Sequence, residues 1–589
     1  MQGNLLTTQD PLNQVTTITY DNMDRLKTRK DALNRQETYQ YDPAGNLVQF
    51  TDRKNQQTTF QYDALNRRTT ATYPDATVTF TYDSVGRLAR ALDSLAGAIE
   101  FTYDLLDRLI KELTPQGVMN YGYDALRRRT TMTANGQQPV MYSYDAASRL
   151  TQVAQGSLSV GLGYDAAGRR TSLTYPNGTN TTYSYDNASR LTNILHNGPA
   201  GVIEGLSYVY DAAGNRISLT RTNGTATLLP QAVQAAYDAA NEQIQFNAGS
   251  PNQTFDANGN LMSQTDASGT TTYTWDARNR LVAITGPSFS ASFTYDALGR
   301  RISKMVNGVT TQYLYNGNDI VVEIGGGAVG ATYLRGLNID EPFVRQASTG
   351  NEYYHSDALG STLALTPNAG ASAISYGYEA FGKTTVTGNS PNPLQYTGRE
   401  NDGTGLYFYR ARYYSQTFGR FISEDPLGLY GGHTNLYTYA LNSPVVARDP
   451  LGLCPPCVAV ALVAGAVVVE AGIDAAVVAG GIIVGAIIGQ VVIDSISERG
   501  GKQNVKDTGL IGVPDAEIKR KARDKSISGE ERRRYQKEEK GRKQRNKPKR
   551  GNKGDESNSI TPLFPDDEDN TQGNDDSDGS PDCLGQRKC

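Results

Sequence analysis

Thr271-Thr272-Tyr273-Thr274-Trp275-Asp276-Ala277-Arg278-Asn279-Arg280-Leu281-Val282-Ala283-Ile284-Thr285 decides the fold. The two flanks are rich in β-branched and aromatic residues, which favour strands. Between them lies turn chemistry. An Asp at the start of a turn accepts a hydrogen bond from the backbone two residues on, and Gly or Asn tolerates positive φ. That suits a three-to-five-residue hairpin, a type I turn followed by a left-handed residue. The stretch therefore reads as one β-hairpin. The Arg after the turn is placed to lie over the ring before the Asp, adding a cation–π contact.

This unit recurs about every 20–21 residues. Tyr20-Asp21, Tyr41-Asp42, Tyr62-Asp63, Tyr82-Asp83, Tyr103-Asp104, Tyr123-Asp124, Tyr144-Asp145, Tyr164-Asp165 and Tyr185-Asp186 keep the beat. Tyr210-Asp211 and Tyr237-Asp238 are looser, then Phe255-Asp256, Trp275-Asp276 and Tyr295-Asp296 restore it. One hairpin cannot bury its own apolar face, so neighbours must stack. The expected fold class is mainly β: a spiral of hairpin repeats forming a hollow shell, followed by a small helical and disordered tail. The repeated Tyr, Asp and Arg are expected to shape the scaffold, since catalytic groups need not recur in every unit. Carbohydrate binding along a surface with 36 Tyr and one Trp is the competing reading.

Composition supports a thin, turn-rich β structure, with 38% hydrophobic residues and 60 Gly in 589. The net charge of −4 hides an uneven distribution: residues near 500–550 are strongly basic and the last stretch is acidic. All four cysteines, Cys454, Cys457, Cys583 and Cys589, follow the repeats, so the array needs no disulfide and the cysteines assign no compartment. No secretory signal opens the sequence. The start looks like the middle of an array, which suggests a fragment or a short version of a longer protein.

From about residue 310 the pattern changes. Tyr354-His355-Ser356-Asp357-Ala358-Leu359-Gly360-Ser361 is followed by Tyr378-Glu379-Ala380-Phe381-Gly382-Lys383 and Tyr396-Thr397-Gly398-Arg399-Glu400. Then come Arg410-Ala411-Arg412-Tyr413-Tyr414, Ser423-Glu424-Asp425-Pro426-Leu427-Gly428-Leu429 and Asp449-Pro450-Leu451-Gly452-Leu453. In order, over residues 10–453, these strings closely resemble the RHS-repeat (YD-repeat) family with its RHS-associated core domain. The resemblance implies a β-shell around a variable C-terminal cargo, closed by a core domain that acts as an aspartic autoprotease. It implies a cut between Leu453 and Cys454, made by the carboxylates of Asp425 and Asp449, with Arg412 at the family's arginine position. Two carboxylates sharing a proton are what such hydrolysis needs. Ser415 departs from the pattern, where many relatives carry Asp. From spacing alone, each Asp-Pro merely starts a turn.

The organisation expected is therefore 1–310 repeat array, 311–453 core domain, 454–499 apolar segment, 500–550 basic helical tail and 551–589 acidic disordered tail. The apolar segment reads equally as a membrane hairpin or as a linker packed inside the shell. In the basic tail Ser528-Gly529-Glu530-Glu531 is a capping box, and its charge fits a nucleic-acid target or a solvated helix. The histidines, His196, His355 and His433, all precede the tail. Any tail nuclease is thus His-independent: Asp507, Asp515, Glu517, Asp524 and Glu531, with Lys519 and Arg523, are the candidates, and a divalent metal its cofactor. The shell implies no cofactor. The function expected is a shell protein of a bacterial polymorphic-toxin or competition system, made in the cytoplasm and delivered to a target cell. Its partners would be its own tail as cargo, a cognate immunity protein, secretion machinery, and a nucleic-acid or membrane target of the tail. The rivals are an adhesive surface protein that binds carbohydrate, and a truncated inert remnant.

Overall fold

A computed structural model describes residues 4–223, 233–249, 252–368 and 374–453. Cys454, the apolar, basic and acidic tail segments, and the candidates Asp507, Asp515, Glu517, Lys519, Arg523, Asp524 and Glu531 lie outside the described residues. Strand dominates the rest; among the described residues the helical pieces are three short 3-10 turns, Tyr396–Gly398, Gly428–Gly431 and Ala440–Asn442. A 21-stranded sheet runs from Thr7–Gln9 to Arg216–Arg221, and a 14-stranded sheet from Gln253–Phe255 to Thr384–Thr387. Between them lies the hairpin Ala235–Tyr237 and Gln243–Phe246. Within both long sheets every strand pairs antiparallel with its sequence neighbour, and the ladder passes residue 310 unbroken.

Asp83 shows why the repeat repeats. Its Oδ1 accepts the amides of Val85 and Arg87 at 3.1 and 2.9 Å, and its Oδ2 accepts Arg87 Nε at 2.6 Å. Gly86, three residues on, has φ +97° and donates its amide to the Asp83 carbonyl. The register slips by one at Tyr82, giving the bulged hairpin that the turn chemistry implies. Arg87 then reaches forward. Its guanidinium lies 4.6 Å from the ring of Tyr103, in the next hairpin, and donates to the Asp104 carbonyl. The Tyr103 hydroxyl donates backward to the Leu88 carbonyl at 3.0 Å. The same cation–π step recurs from Arg108 to Tyr123, Arg128 to Tyr144 and Arg169 to Tyr185. In the repeat with tryptophan, the Trp275 indole N–H donates to the Leu261 carbonyl at 2.7 Å. The recurring Tyr, Asp and Arg are thus scaffold, and each hairpin is bonded to the next.

Two long sheets become a spiral because the second winds beside the first. Asn258 donates to Asp52 at 2.7 Å, Arg278 pairs with Asp93 at 2.5 Å, Arg129 with Asn316 at 3.0 Å, Arg170 with Glu341 at 2.5 Å and Asn177 with Thr366 at 3.1 Å. These partners are 206, 185, 187, 171 and 189 residues apart. A ribbon doubled back on itself would give separations falling steadily toward zero. Near-constant separation means a coil. Apolar side chains of both windings share one core, with Phe101, Met119, Val153 and Val160 from the first and Leu314, Val322, Leu334 and Val344 from the second.

The windings also trap two histidines. His196, from the first, lies edge-on to His355 of the second at 5.2 Å between ring centroids. His196 Nδ1 bonds the Thr181 hydroxyl at 2.8 Å and His355 Nε2 the Thr366 hydroxyl at 2.9 Å. After the second sheet, Glu400–Asn401, Leu406–Tyr409, Arg412–Ser415 and Arg420–Phe421 form a four-stranded module. It docks on the second winding through the fully buried Arg301. That guanidinium pairs with Glu400 at 2.5 Å and with Asp402, and lies 4.1 Å from the Phe408 ring.

Two outcomes follow for stability. Asp83→Ala strands two amides and one guanidinium, so urea unfolding should show a loss of about 1–2 kcal/mol; an unchanged midpoint would refute the turn's role. Burial lowers the His196 pKa from its ordinary 6.5 to about 4, against the opposing pull of the Ser356 carbonyl and Glu204, and lowers His355 as well. Both rings are protonated more easily once unfolded. Their contribution is intact above pH 6.5 and drains away as pH falls toward 4. For His196 that amounts to roughly 3 kcal/mol, so His196→Gln should flatten the acid limb of the stability–pH curve.

Candidate functional site

Both Asp-Pro strings fold as turns that keep part of the repeats' hydrogen bonding. Asp425 Oδ1 accepts the Leu427 amide at 2.8 Å, and the Gly428 amide donates to the Asp425 carbonyl at 2.8 Å. Asp449 Oδ1 accepts the Leu453 amide at 3.0 Å, and the Gly452 amide donates to the Asp449 carbonyl. Gly428 and Gly452, each three residues past its Asp, have φ +55° and +68°. A Cβ on Gly452 would also run into the Tyr409 carbonyl. The turn reading of these strings is therefore right as local geometry.

The second carboxylate oxygens go elsewhere. In the repeats Oδ2 takes the Arg four residues on; here that residue is Leu429 or Leu453. Asp425 Oδ2 and Asp449 Oδ2 instead converge on one nitrogen, Arg412 Nη2, at 3.0 and 3.3 Å. The rest of that guanidinium is engaged too: Nε donates to the Gly452 carbonyl at 2.5 Å and Nη1 to the Leu436 carbonyl at 2.9 Å. Its carbon lies 3.6 Å from the ring centroid of Phe421. Asp425, Asp449, Arg412 and Leu453 are all buried. The structure thus brings together the four predicted residues that it describes.

Burial pushes the Asp425 carboxyl up to about 6; Arg412 and the Leu427 amide pull it down, while Asp449 and Glu424 push it further up. A carboxyl so placed takes up its proton at mildly acidic pH, closer to neutrality than an ordinary Asp, as one member of an aspartic pair must. Gly431 closes over it: a Cβ there would stand 2.7 Å from Asp425 Oδ2. Beside the turn lies a cavity of about 280 Å3, with Leu26, Tyr41, Leu47 and Phe50 of the first hairpins on one wall and Asp425 to Tyr430 on the other.

Ser415, the departure from the family pattern, is buried in the strand Arg412–Ser415. Its hydroxyl accepts the Phe418 amide at 3.2 Å and its carbonyl accepts the Gly419 amide. It caps a turn. Sequence reasoning missed Glu424, whose carboxylate takes Arg53 and Arg29 from the first hairpins; only its place beside Asp425 hinted at it. Among the described residues, no group of three or more His, Cys, Asp or Glu side chains is arranged to hold a metal.

Comparison with known proteins gives the same fold. The teneurin YD-shell profile matches residues 116–198 and 177–445, more than half of the sequence. The chain belongs to the teneurin YD-shell family. The RHS repeat profile matches residues 41–78, ahead of that stretch. Toxin protein Tse5 of Pseudomonas aeruginosa is 38% identical over 112 residues, 18% of this chain and 8% of that protein. The tRNA(Glu)-specific nuclease WapA of Bacillus subtilis subsp. natto is 34% identical over 163 residues, 26% and 7% of the two chains. Toxin subunit YenC1 of Yersinia entomophaga is 35% identical over 109 residues, 18% and 11%. The match therefore spans only a small part of each relative's length. Among solved structures, TcdB2-TccC3-Cdc42 superposes with a TM-score of 0.58 at 17% identity, over 79% of this chain and 30% of that one. The Tc holotoxin pore of Photorhabdus luminescens gives 0.55 at 19%, over 75% and 30%. These likenesses establish a shared YD-shell fold.

Removing Arg412 leaves two buried carboxylates facing each other. Arg412→Met should cost about 3–5 kcal/mol at neutral pH. The loss should be smaller at mildly acidic pH, where the Asp425 carboxyl takes up its proton. Urea unfolding at the two pH values tests this, and equal losses would contradict it.

Proposed function

We propose that this chain is the shell of a bacterial polymorphic-toxin system, which encloses its own C-terminal tail and cuts it free between Leu453 and Cys454. The observation that carries the reading is the meeting of Asp425 and Asp449 on one Arg412 nitrogen, with the Leu453 amide held by Asp449. Asp449 and Arg412 together grip the backbone of Gly452 and Leu453, the residues that lead into the bond. Water attacks the Leu453 carbonyl carbon while Asp449 takes its proton. Asp425 supplies the proton that the leaving nitrogen needs. The C–N bond breaks, leaving a carboxyl on Leu453 and an amine on Cys454, with one water consumed and no cofactor required.

The names of Tse5 and YenC1 as toxins support the cargo reading, as does the shared fold with TccC3-containing assemblies. Cargo of this kind needs an immunity protein in the producing cell and a delivery machine to leave it. The tail's basic stretch would then meet a nucleic acid, or its apolar stretch a membrane, in the target cell, with a divalent metal serving any phosphodiester chemistry.

Full-length protein produced in bacteria should run as two pieces on a denaturing gel, and the smaller should begin at Cys454. Asp425→Asn and Asp449→Asn should each give a single full-length band. Persistent full-length wild-type protein rejects the proposal.

A further inference from the structure

Glu424 is the residue beside Asp425 that the mechanism leaves unused. Its side chain is only 10% exposed and its carboxylate is gripped in a bidentate manner by Arg53, with Nη1 to Oε1 at 2.9 Å and Nη2 to Oε2 at 2.7 Å. Arg29 Nη2 adds a third bond at 3.2 Å. The partners lie 371 and 395 residues earlier, in the first hairpins of the shell. Arg53 also donates to Asp31 at 2.9 Å and to the Asn258 carbonyl at 2.7 Å, and Asn258 Oδ1 accepts the Arg53 amide. Asn258 belongs to the second winding. First winding, second winding and the turn bearing Asp425 therefore meet at one guanidinium.

Arg29 touches both ends of that turn. It bonds Glu424, and its Nη1 sits where a Cβ on Gly428 would be 2.9 Å away. Buried ion pairs add little net stability over an apolar replacement, and their best-attested use is to specify register. Three such bonds on the residue next to the proton-donating carboxyl therefore read as alignment rather than as strength.

We infer that Arg53 and Arg29 are positioning residues for the cleavage: through Glu424 they align Asp425, so that the bond is cut only after the first hairpins have closed on the four-stranded module. The inference rests on the reading that Asp425 and Asp449 make the cut. The charged groups facing Asp425 are Arg412, Asp449 and Glu424. Glu424 opposes ionisation of Asp425, while Arg53 and Arg29 overcome the burial of Glu424 and hold it below the usual carboxylate range. Removing the Glu424 charge makes Asp425 easier to ionise. The alkaline fall-off of cutting must then move to lower pH.

The test follows the cut fraction over time in full-length chain made by cell-free synthesis across a pH series from mildly acidic to mildly alkaline. Glu424→Gln should slow cutting about tenfold and shift the alkaline fall-off toward acid. Arg53→Met should slow it similarly, with partial rescue by Arg53→Lys, which keeps the charge but loses the fork. Asp83→Ala, which weakens the shell far from the turn, should cut at the wild-type rate. Glu424→Gln with an unmoved profile, or an equal slowing in Asp83→Ala, overturns the inference while wild-type cutting leaves the proposed function standing. An uncut wild type overturns both.

Discussion

An aspartate whose two oxygens do different jobs underlies the whole structure. Oδ1 closes a turn on backbone amides, and Oδ2 is left for a cation. In the hairpins the cation is local: Asp83 and Arg87, or Asp124 and Arg128, are four residues apart, and Asn46 or Asn260 fills the place where Arg is absent. That Arg then lies on the next tyrosine, so the turn's charge is passed along as a link between hairpins. At Asp425 and Asp449 the residue four on is Leu. With no local cation, both carboxylates turn to Arg412. The chemistry of the candidate site is the repeat's own turn with its neutralising partner removed.

Polar contacts hold the windings in place more selectively than apolar ones would. Arg278 and Asp93 are both buried, and the half-buried Arg300 of the second winding pairs with the buried Glu112 of the first at 2.7 Å. A misplaced winding would leave such charges without partners, at a cost of several kcal/mol each. The apolar stripe beneath them tolerates more sliding. Register between windings thus depends on a few charged side chains, and adhesion on many apolar ones.

Much of this was legible in the sequence because it is local. The period, the bulged hairpin and the Asp turn each lie within a few residues, and Trp275 fits the tyrosine slot because its N–H makes the bond that the hydroxyl otherwise makes. The Arg over the ring was foreseen, but its ring belongs to the next hairpin, about one period ahead. Asp425, Asp449 and Arg412 stood out through two matching strings and a family resemblance. Glu424 did not, since Arg53 and Arg29 lie more than 370 residues away. No spacing rule reaches that far. Ser415 looked like a missing acid, yet its hydroxyl is used to cap a turn.

The steady offset between windings makes the length of this protein a discrete quantity. Deleting or duplicating one hairpin would slide every later side chain past its neighbour by a full period, so that Arg278 would face a different repeat from the one carrying Asp93. Smaller insertions are absorbed by loops, but a change in repeat number demands that charges on both layers be rewritten together. Lineages carrying such coils should therefore vary freely at hairpin tips, while the number of units per lap stays locked.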